Sequence, residues 1–345
     1  MDVNYKIVYL KKRFPLRISR GVRDGQSNLF VSIEDQGQVG WGETSPGASE
    51  GAETAEEAQR QLQRFLNAGA NLQSVYETHD HALSTGLAPC ALAALDMALW
   101  DLMAKKANMP LYKFLGFAAP KKPTSITLGI MSPEEAKERL PLLLEESGIK
   151  TLKVKLGNPE GIEADKAMYS EILKYKNAEQ LAIRVDANGG WSLKDAQHMM
   201  RWLAERNCGY VEQPLKEGQE IDLAHLYKNR PLPIFVDESC RFATDIPKWA
   251  HNVDGVNMKL MKCGGITGAL RIIATAHAFG LKTMIGCMGE TSISIAAGAA
   301  VSGVLDHIDL DSQLNLNPDP CMGAPLVNEV ITPLEVPGHG GQFKN

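Results

Sequence analysis

One repeating unit governs the chain from Ser125 onward: a short apolar run followed by a segment compatible with a helix. The pattern predicts strands at Ser125–Ile130, Thr151–Leu156, Ala182–Val185, Gly209–Glu212, Ile234–Asp237, Gly255–Leu260, Thr283–Cys287 and His307–Leu310. Helical pattern falls between most of them, at Pro133–Glu146, Pro159–Lys176, Ser192–Arg206 and Ile266–Phe279. Strands that alternate with helices pair in parallel, because each crossover must carry the chain back to the same end of the sheet. Eight such units describe a (β/α) barrel. A doubly wound open sheet is the rival, but it normally needs fewer repeats, and no GxGxxG follows the first strand.

The middle five runs all end in charge: Lys153-Val-Lys155, Val-Asp186-Ala-Asn188, Val-Glu212-Gln-Pro, Val-Asp237-Glu238 and Asn-Met-Lys259. Lys155 to Asp186 is 31 residues, and the next intervals are 26, 25 and 22. In a barrel all these charges share the C-terminal rim, the face that carries catalysis. A single strand-end aspartate is commonly just a turn residue. Asp186, Glu212 and Asp237, three in register, point instead to a metal. Hard oxygen ligands suit Mg²⁺, and the lack of His or Cys among them argues against zinc. Glu238 follows Asp237 directly and should face the other way, in a supporting role.

Lys153 and Lys155 flank Val154, so both project to one side of their strand. Two inward lysines are costly unless anions lie nearby. Lys259, on the sixth strand, lies across the barrel from Lys155. Amines on opposite sides of a metal-bound substrate suit removal of a proton from one face and delivery to the other, as racemisation or epimerisation requires. Lys153 would lower the pKa of Lys155 and make it a better base. The simpler alternative is that the lysines only pair with the carboxylates. Lys262 falls just past the strand and is expected outside catalysis.

Before the barrel, strands are expected at Lys6–Leu10, Asn28–Glu34 and Gln38–Glu43, with a hairpin turn at Asp35-Gln36-Gly37. Helices are expected over 53–67, 72–84 and Ala88–Ala107, the last with Leu92, Leu95, Leu99 and Leu102 on one face. The expected organisation is an α+β domain over residues 1–118, a barrel over 119–314, and a tail of about 315–345 returning to the first domain. With 44% apolar residues the chain can bury a sizeable core. A net charge of -5 without a basic cluster argues against nucleic acid. No apolar run reaches membrane-spanning length, and the N-terminus lacks the apolar stretch of a signal peptide. The six cysteines form no CxxC and read as thiols of a reducing compartment, so a cytoplasmic protein is expected.

These residues, with Gly-Trp41-Gly-Glu43, Leu95-Asp96-Met-Ala-Leu-Trp100-Asp101, Val-Asp237-Glu238-Ser239 and Lys259-Leu-Met-Lys-Cys-Gly-Gly265, resemble the enolase superfamily, muconate-lactonising subgroup, over nearly the whole length. The resemblance implies a modified TIM barrel, (β/α)7β, under an N-terminal α+β capping domain. It also implies one Mg²⁺ per subunit, held by Asp186, Glu212 and Asp237, and removal of a proton α to a carboxylate through an enediolate. The mandelate-racemase-like branch uses a His–Asp pair in place of the sixth-strand lysine, and no histidine stands at the sixth- or seventh-strand ends here. His307-Ile-Asp309-Leu-Asp311 resembles the Asp-x-Asp motif of dipeptide epimerases, where the pair grips the free α-ammonium of the substrate. Gly286-Cys287-Met288-Gly289-Glu290-Thr291 resembles the Ala-Glu epimerase group. The resemblance thus implies a small-molecule dipeptide substrate, proton exchange by Lys155 and Lys259 aided by Lys153, and a homo-oligomer. Substrate contacts are expected from Asp309, Asp311, Thr127, Met288 and Glu290, and from Arg20 and Arg23 of a mobile loop over 17–25; Asn188 and Glu238 would support the metal site. An arginine in that loop would favour a glutamate side chain, and Asp24 a cationic one. The alternatives are o-succinylbenzoate synthesis, N-succinylamino-acid racemisation, or a non-catalytic metal-binding protein of the same fold.

Overall fold

A computed structural model of the chain describes residues 1–344; Asn345, the end of the expected tail, lies outside the described residues. Three antiparallel strands open it: β1 Asp2–Ile18, β2 Gly21–Asp35 and β3 Gln38–Thr44. The eight predicted runs then form β4 Ile126–Leu128, β5 Thr151–Lys155, β6 Ala182–Asp186, β7 Cys208–Glu212, β8 Ile234–Val236, β9 Gly255–Met258, β10 Lys282–Ile285 and β11 His307–Ile308. They pair in parallel, in chain order, in one sheet. Thr124 bridges in parallel to Ile308, and Ser125 N donates to Ile308 O at 3.0 Å, so the last strand meets the first. Tyr210, Phe235 and Met284 fill part of the interior, with the His307 ring against the first two.

The helices form where local signals permit. Pro133–Ser147 opens on a Ser132/Glu135 capping box and closes at Gly148 with φ 68. Leu193–Ala204 is capped by Ser192. The helix expected over 159–176 is shorter, Ile162–Ile172, because Gly161 enters it at φ 100, outside helical geometry.

The N-terminal hairpin differs from expectation. β1 is more than three times and β2 about twice the predicted length, paired from Asp2↔Glu34 to Ile18↔Gly21, with a bulge between Lys11 and Leu16. The segment expected to be a mobile loop over 17–25 is the tip of this hairpin, with Ser19 and Arg20 unpaired at the turn and Asp24 unpaired opposite the bulge. It rests on the barrel: Ile130 N donates to Arg17 O at 2.8 Å and Ser19 Oγ to Asn188 O at 2.9 Å. Alternation is broken there by charged residues and the bulge, so the strand signal disappears although the pairing continues.

Pro89–Lys106 was expected to bury one face and buries nearly all of its surface. On one side it lies against β3, where a Cβ on Gly42 would sit 1.9 Å from Ala94 O and one on Gly40 2.1 Å from Ala98 O. Only glycine allows that approach. On the other side it meets the barrel, where Thr267 N donates to Asp96 Oδ2 at 3.0 Å and Trp100 Nε1 to Thr267 Oγ1 at 2.9 Å. Past the barrel, Asn317 N donates to Lys11 O at 2.9 Å, His339 N to Asp101 Oδ1 at 2.8 Å, and Phe343 packs on Phe30 and Trp41. No helix among the described residues is long and apolar enough to cross a membrane.

Candidate active site

The strand register assembles the charged rim. Lys155 pairs with Asp186 across β5 and β6, and Asp186 with Glu212 across β6 and β7. Asp237 directly follows β8. Asp186, Glu212 and Asp237 are fully buried, and their ligand oxygens lie within 4.8 Å of one another. Asn188 (φ 43) and Gln213 (φ 38) adopt left-handed conformations just past two of these strands. That strained geometry, sparsely populated by non-glycine residues, turns the chain back on the site. Asn188 N donates to Asp186 Oδ1 at 2.8 Å, and Gln213 Oε1 accepts from Asp237 N at 2.8 Å.

The donor set fits a hard cation. Four buried acceptor oxygens around the triad lack a hydrogen-bond donor: Glu212 Oε2, Asn188 Oδ1, Asn257 Oδ1 and Glu238 Oε2. Lys153 Nζ lies 2.9 Å from Glu212 Oε2 but outside hydrogen-bonding geometry, so charge is matched there without a bond. Burial and the neighbouring charge of Asp186 push the Glu212 carboxyl up. Burial also acts to raise Asp186 and Asp237, but the lysines beside them overcome it and hold both well below the usual carboxylate range. A divalent cation would remove the like-charge cost that falls on Glu212.

Lysines bracket the triad. Lys155 Nζ donates to Asp186 Oδ2 at 2.5 Å and Lys259 Nζ to Asp237 Oδ2 at 2.7 Å. Lys259 follows β9 and starts the short helix Leu260–Cys263, so the strand ends earlier than the pattern suggested. Burial acts to lower Lys259, but Asp237 and Glu238 outweigh it and keep the ammonium above its usual range. Lys153, expected as a neighbour that sharpens Lys155, is instead the centre of a carboxylate cluster. It lies 3.1 Å from Asp186, 2.9 Å from Glu212 and 2.7 Å from Asp309. Burial opposes its charge, and Asp309, Glu212 and Asp186 together hold it well above the usual lysine range.

Sequence reasoning passed over Lys262. It is 4% exposed, and its ammonium donates to Asp237 Oδ1 at 2.5 Å, Asn257 O at 3.0 Å and Cys240 O at 3.1 Å. The turn of helix after Lys259 swings it inward, where an extended strand would have carried it out. Asn257, whose Nδ2 donates to Glu212 Oε1 at 2.7 Å, was also missed. Its place two residues before Lys259, on the same face of the strand, was the available signal.

A cavity of about 410 Å³ opens above the rim, lined by Lys155, Asp237 and Lys259 at its base. Asp309, Asp311 and Thr127 line one side. Asp309 accepts from Lys153 Nζ at 2.7 Å and Ser125 Oγ at 2.6 Å, whereas Asp311 accepts from Thr127 N at 2.7 Å and has no cationic partner among the described residues. Arg20, Arg23 and Met288 line the mouth. Arg20 Nη1 pairs with Glu238 Oε1 at 2.7 Å, and Arg23 donates to Gln26 Oε1 at 3.2 Å. Two expectations change. Glu238, expected to face away, lines the cavity and accepts from Asn188 Nδ2 at 3.2 Å, because β8 ends at Val236 and strict alternation ends with it. Glu290, expected to touch substrate, does not line the cavity. Its carboxylate is taken by Ser294 Oγ at 2.6 Å and Met288 N at 2.7 Å at the start of the helix Ser292–Val301.

Comparison with known proteins places this geometry. Residues 135–344 match the enolase C-terminal domain-like family, and residues 2–116 match the mandelate racemase / muconate lactonizing enzyme N-terminal domain. The chain is 58% identical to a hydrophobic dipeptide epimerase of a Flavobacteria bacterium, over 100% of this chain and 99% of that one. It is 58% identical to a protein of the same description from Roseobacter litoralis, over 99% and 98%. Among solved structures it resembles the dipeptide epimerase of Enterococcus faecalis complexed with Mg and L-Leu-L-Tyr, with a TM-score of 0.89, 33% identity and 99% of each chain covered. With both family models matched and full-length relatives this similar, the chain belongs to the mandelate racemase / muconate lactonizing branch of the enolase superfamily.

Proposed function

We propose that this protein is a Mg²⁺-dependent dipeptide epimerase that inverts the α-carbon of the C-terminal residue by a two-base transfer. The observation that carries the reading is the bracketed triad, with Lys155 on the Asp186 side and Lys259 on the Asp237 side, each in contact with its neighbouring carboxylate. Asp186, Glu212 and Asp237 would hold one Mg²⁺ per subunit, which when bound offsets the charge that grows on the substrate carboxylate as its α-proton leaves. Lys155 and Lys259 remove and return that proton from opposite faces. Lys153 stays protonated among its carboxylates and supplies fixed positive charge beneath the substrate carboxylate. Asp311, with Asp309 behind it, holds the substrate ammonium. Asn188 and Glu238 steady Asp186 and tie it to Arg20.

Arg20 is occupied by Glu238, and the hairpin presents Ile18 and Val22 to the cavity beside Arg23, whose guanidinium meets only the neutral Gln26 among the described residues. The apolar side chains of Ile18 and Val22 and the description of the relatives that are 58% identical support apolar second residues. We assign residues 1–118 with the tail to a cap and 119–314 to the catalytic barrel. Six free cysteines, five of them buried, agree with a cytoplasmic enzyme, and the same reading makes it a homo-oligomer that engages neither nucleic acid nor membrane.

The test is incubation with a dipeptide library and Mg²⁺ in deuterated water. Deuterium at the α-carbon of the second residue, fastest for apolar side chains, is the expected result. Exchange only in N-acylated amino acids overturns the dipeptide reading, and no exchange in any substrate favours a non-catalytic protein.

A further inference from the structure

Five lysines line the cavity, and four of them donate to carboxylates: Lys153 to Asp309, Lys155 to Asp186, and Lys259 and Lys262 to Asp237. The fifth, Lys12, is 9% exposed, and its ammonium has no carboxylate within 4.0 Å and no hydrogen-bond acceptor among the described residues. Its neighbours in charge are the Cys287 thiol, Asp311, Arg23 and Glu290, and burial holds its amine below the usual lysine value. The position is built rather than incidental. Lys12 sits in the β1 bulge, its backbone bridges to Leu316, and Asn317 N donates to Lys11 O at 2.9 Å, so the bulge is pinned to the segment that follows Asp311. Arg13, the next residue, turns away to a bidentate pair with Glu146.

The Lys12 ammonium reaches the cavity with little access to water and no protein acceptor, so an acceptor brought by a ligand would stabilise it. A bound substrate can supply the partner. If a dipeptide places its carboxylate over the triad and its ammonium at Asp311, the one acceptor common to every dipeptide and still unmet is the peptide carbonyl. That oxygen lies about 3 Å from the ammonium nitrogen of the same residue, by standard bond lengths. A donor close to Asp311 but out of contact with it leaves room for a carbonyl between them. We propose that Lys12 donates to the peptide carbonyl of the substrate and fixes the peptide plane, so that the α-C–H of the second residue stands between Lys155 and Lys259. The inference rests on the dipeptide reading above and adds a binding group contributed by the N-terminal strand.

The test compares L-Ala-L-Leu with its thioamide, in which sulfur, a weak acceptor, replaces the peptide oxygen. In the wild-type enzyme with Mg²⁺ the thioamide should lower kcat/KM by about tenfold or more, the scale of a charge-assisted hydrogen bond. In Lys12→Met the oxygen compound should fall to a similar level, mainly through KM, and the ratio between the two substrates should approach one. Lys12→Leu, which also cannot donate, is read the same way should the methionine variant fail to fold. An unchanged ratio in the folded variant overturns the proposal, as does a loss confined to dipeptides with acidic side chains such as L-Ala-L-Glu, which would make Lys12 a side-chain reader. If the wild-type enzyme turns over no dipeptide at all, the functional reading itself fails, a result separable from either of these.

Discussion

Two pairs of carboxylates in this protein, Asp96 with Glu43 and Asp186 with Asp237, are equally buried and shift in opposite directions. At the junction of cap and barrel, Asp96 accepts from Thr267 N and its hydroxyl, and Glu43 accepts from Thr291, Asn28 and Ser294. Those donors are neutral. Burial therefore prevails over the hydrogen bonds, and both carboxyls are pushed up to about 7. On the barrel rim, Asp186 and Asp237 meet lysines, and the same burial is overcome. Buried hydrogen bonds can hold a carboxyl in place, but a buried cation is needed to keep it charged. The junction uses its acids as glue between the two parts of the chain, and under the proposed function the rim acids would serve as ligands.

The largest way to break this comparison is to remove the charge at the rim. Asp186→Asn, or exhaustive chelation of the protein, should lower turnover on the order of a thousandfold, because a metal supplies several kcal/mol of transition-state stabilisation. Titrating Mg²⁺ into chelated wild type should restore activity at one ion per chain. Full activity after chelation would remove the metal from the mechanism. Next, Lys262→Met leaves Asp237 with one lysine instead of two and should cost about 3 kcal/mol of stability by urea denaturation, the scale for breaking a buried pair. A loss below about 1 kcal/mol would show that Lys259 alone compensates Asp237.

The junction offers a test of opposite sign. The folded state raises Asp96 from 3.8 to about 7, so it favours the protonated form. That contribution is fully present below about pH 4 and is lost as pH rises through 7. Asp96→Asn mimics the neutral acid and should flatten the decline in stability between pH 4 and 7. An equally steep decline in the variant would assign that slope to other groups. The smallest effect concerns the hairpin tip. The Arg20–Glu238 pair is half exposed on the arginine side, so Arg20→Ala should raise KM by no more than about fivefold and leave kcat nearly unchanged. A large fall in kcat would mean that Arg20 acts on the metal site through Glu238 and Asn188.

The rim was legible because strand spacing and charge coincide. Once Asp186, Glu212 and Asp237 are read as successive strand ends, parallel pairing puts them together with no further information. What stayed hidden depends on where strands stop. Lys262 is inward only because β9 gives way to a helical turn after Met258, and Glu238 reaches the cavity only because β8 ends at Val236. Glu290 shares a motif with cavity-lining Met288, yet its carboxylate is taken up by Ser294, a contact no spacing rule predicts. The hairpin escaped because a bulge and a run of charges erase alternation while leaving the pairing intact. The burial of Pro89–Lys106 on nearly every side came from a layer on each flank, which the leucine spacing of one helix does not encode.

The central claim is that Lys155 and Lys259 serve opposite faces of one carbon. It is tested most directly by following α-proton exchange of L-Ala-L-Leu and L-Ala-D-Leu in deuterated water, with Mg²⁺, in Lys155→Ala and Lys259→Ala. Epimerisation should vanish in both variants, and each should still exchange the proton of one stereoisomer, a different one in each case. Variants that both epimerise, or that both retain exchange of the same stereoisomer, would contradict the account.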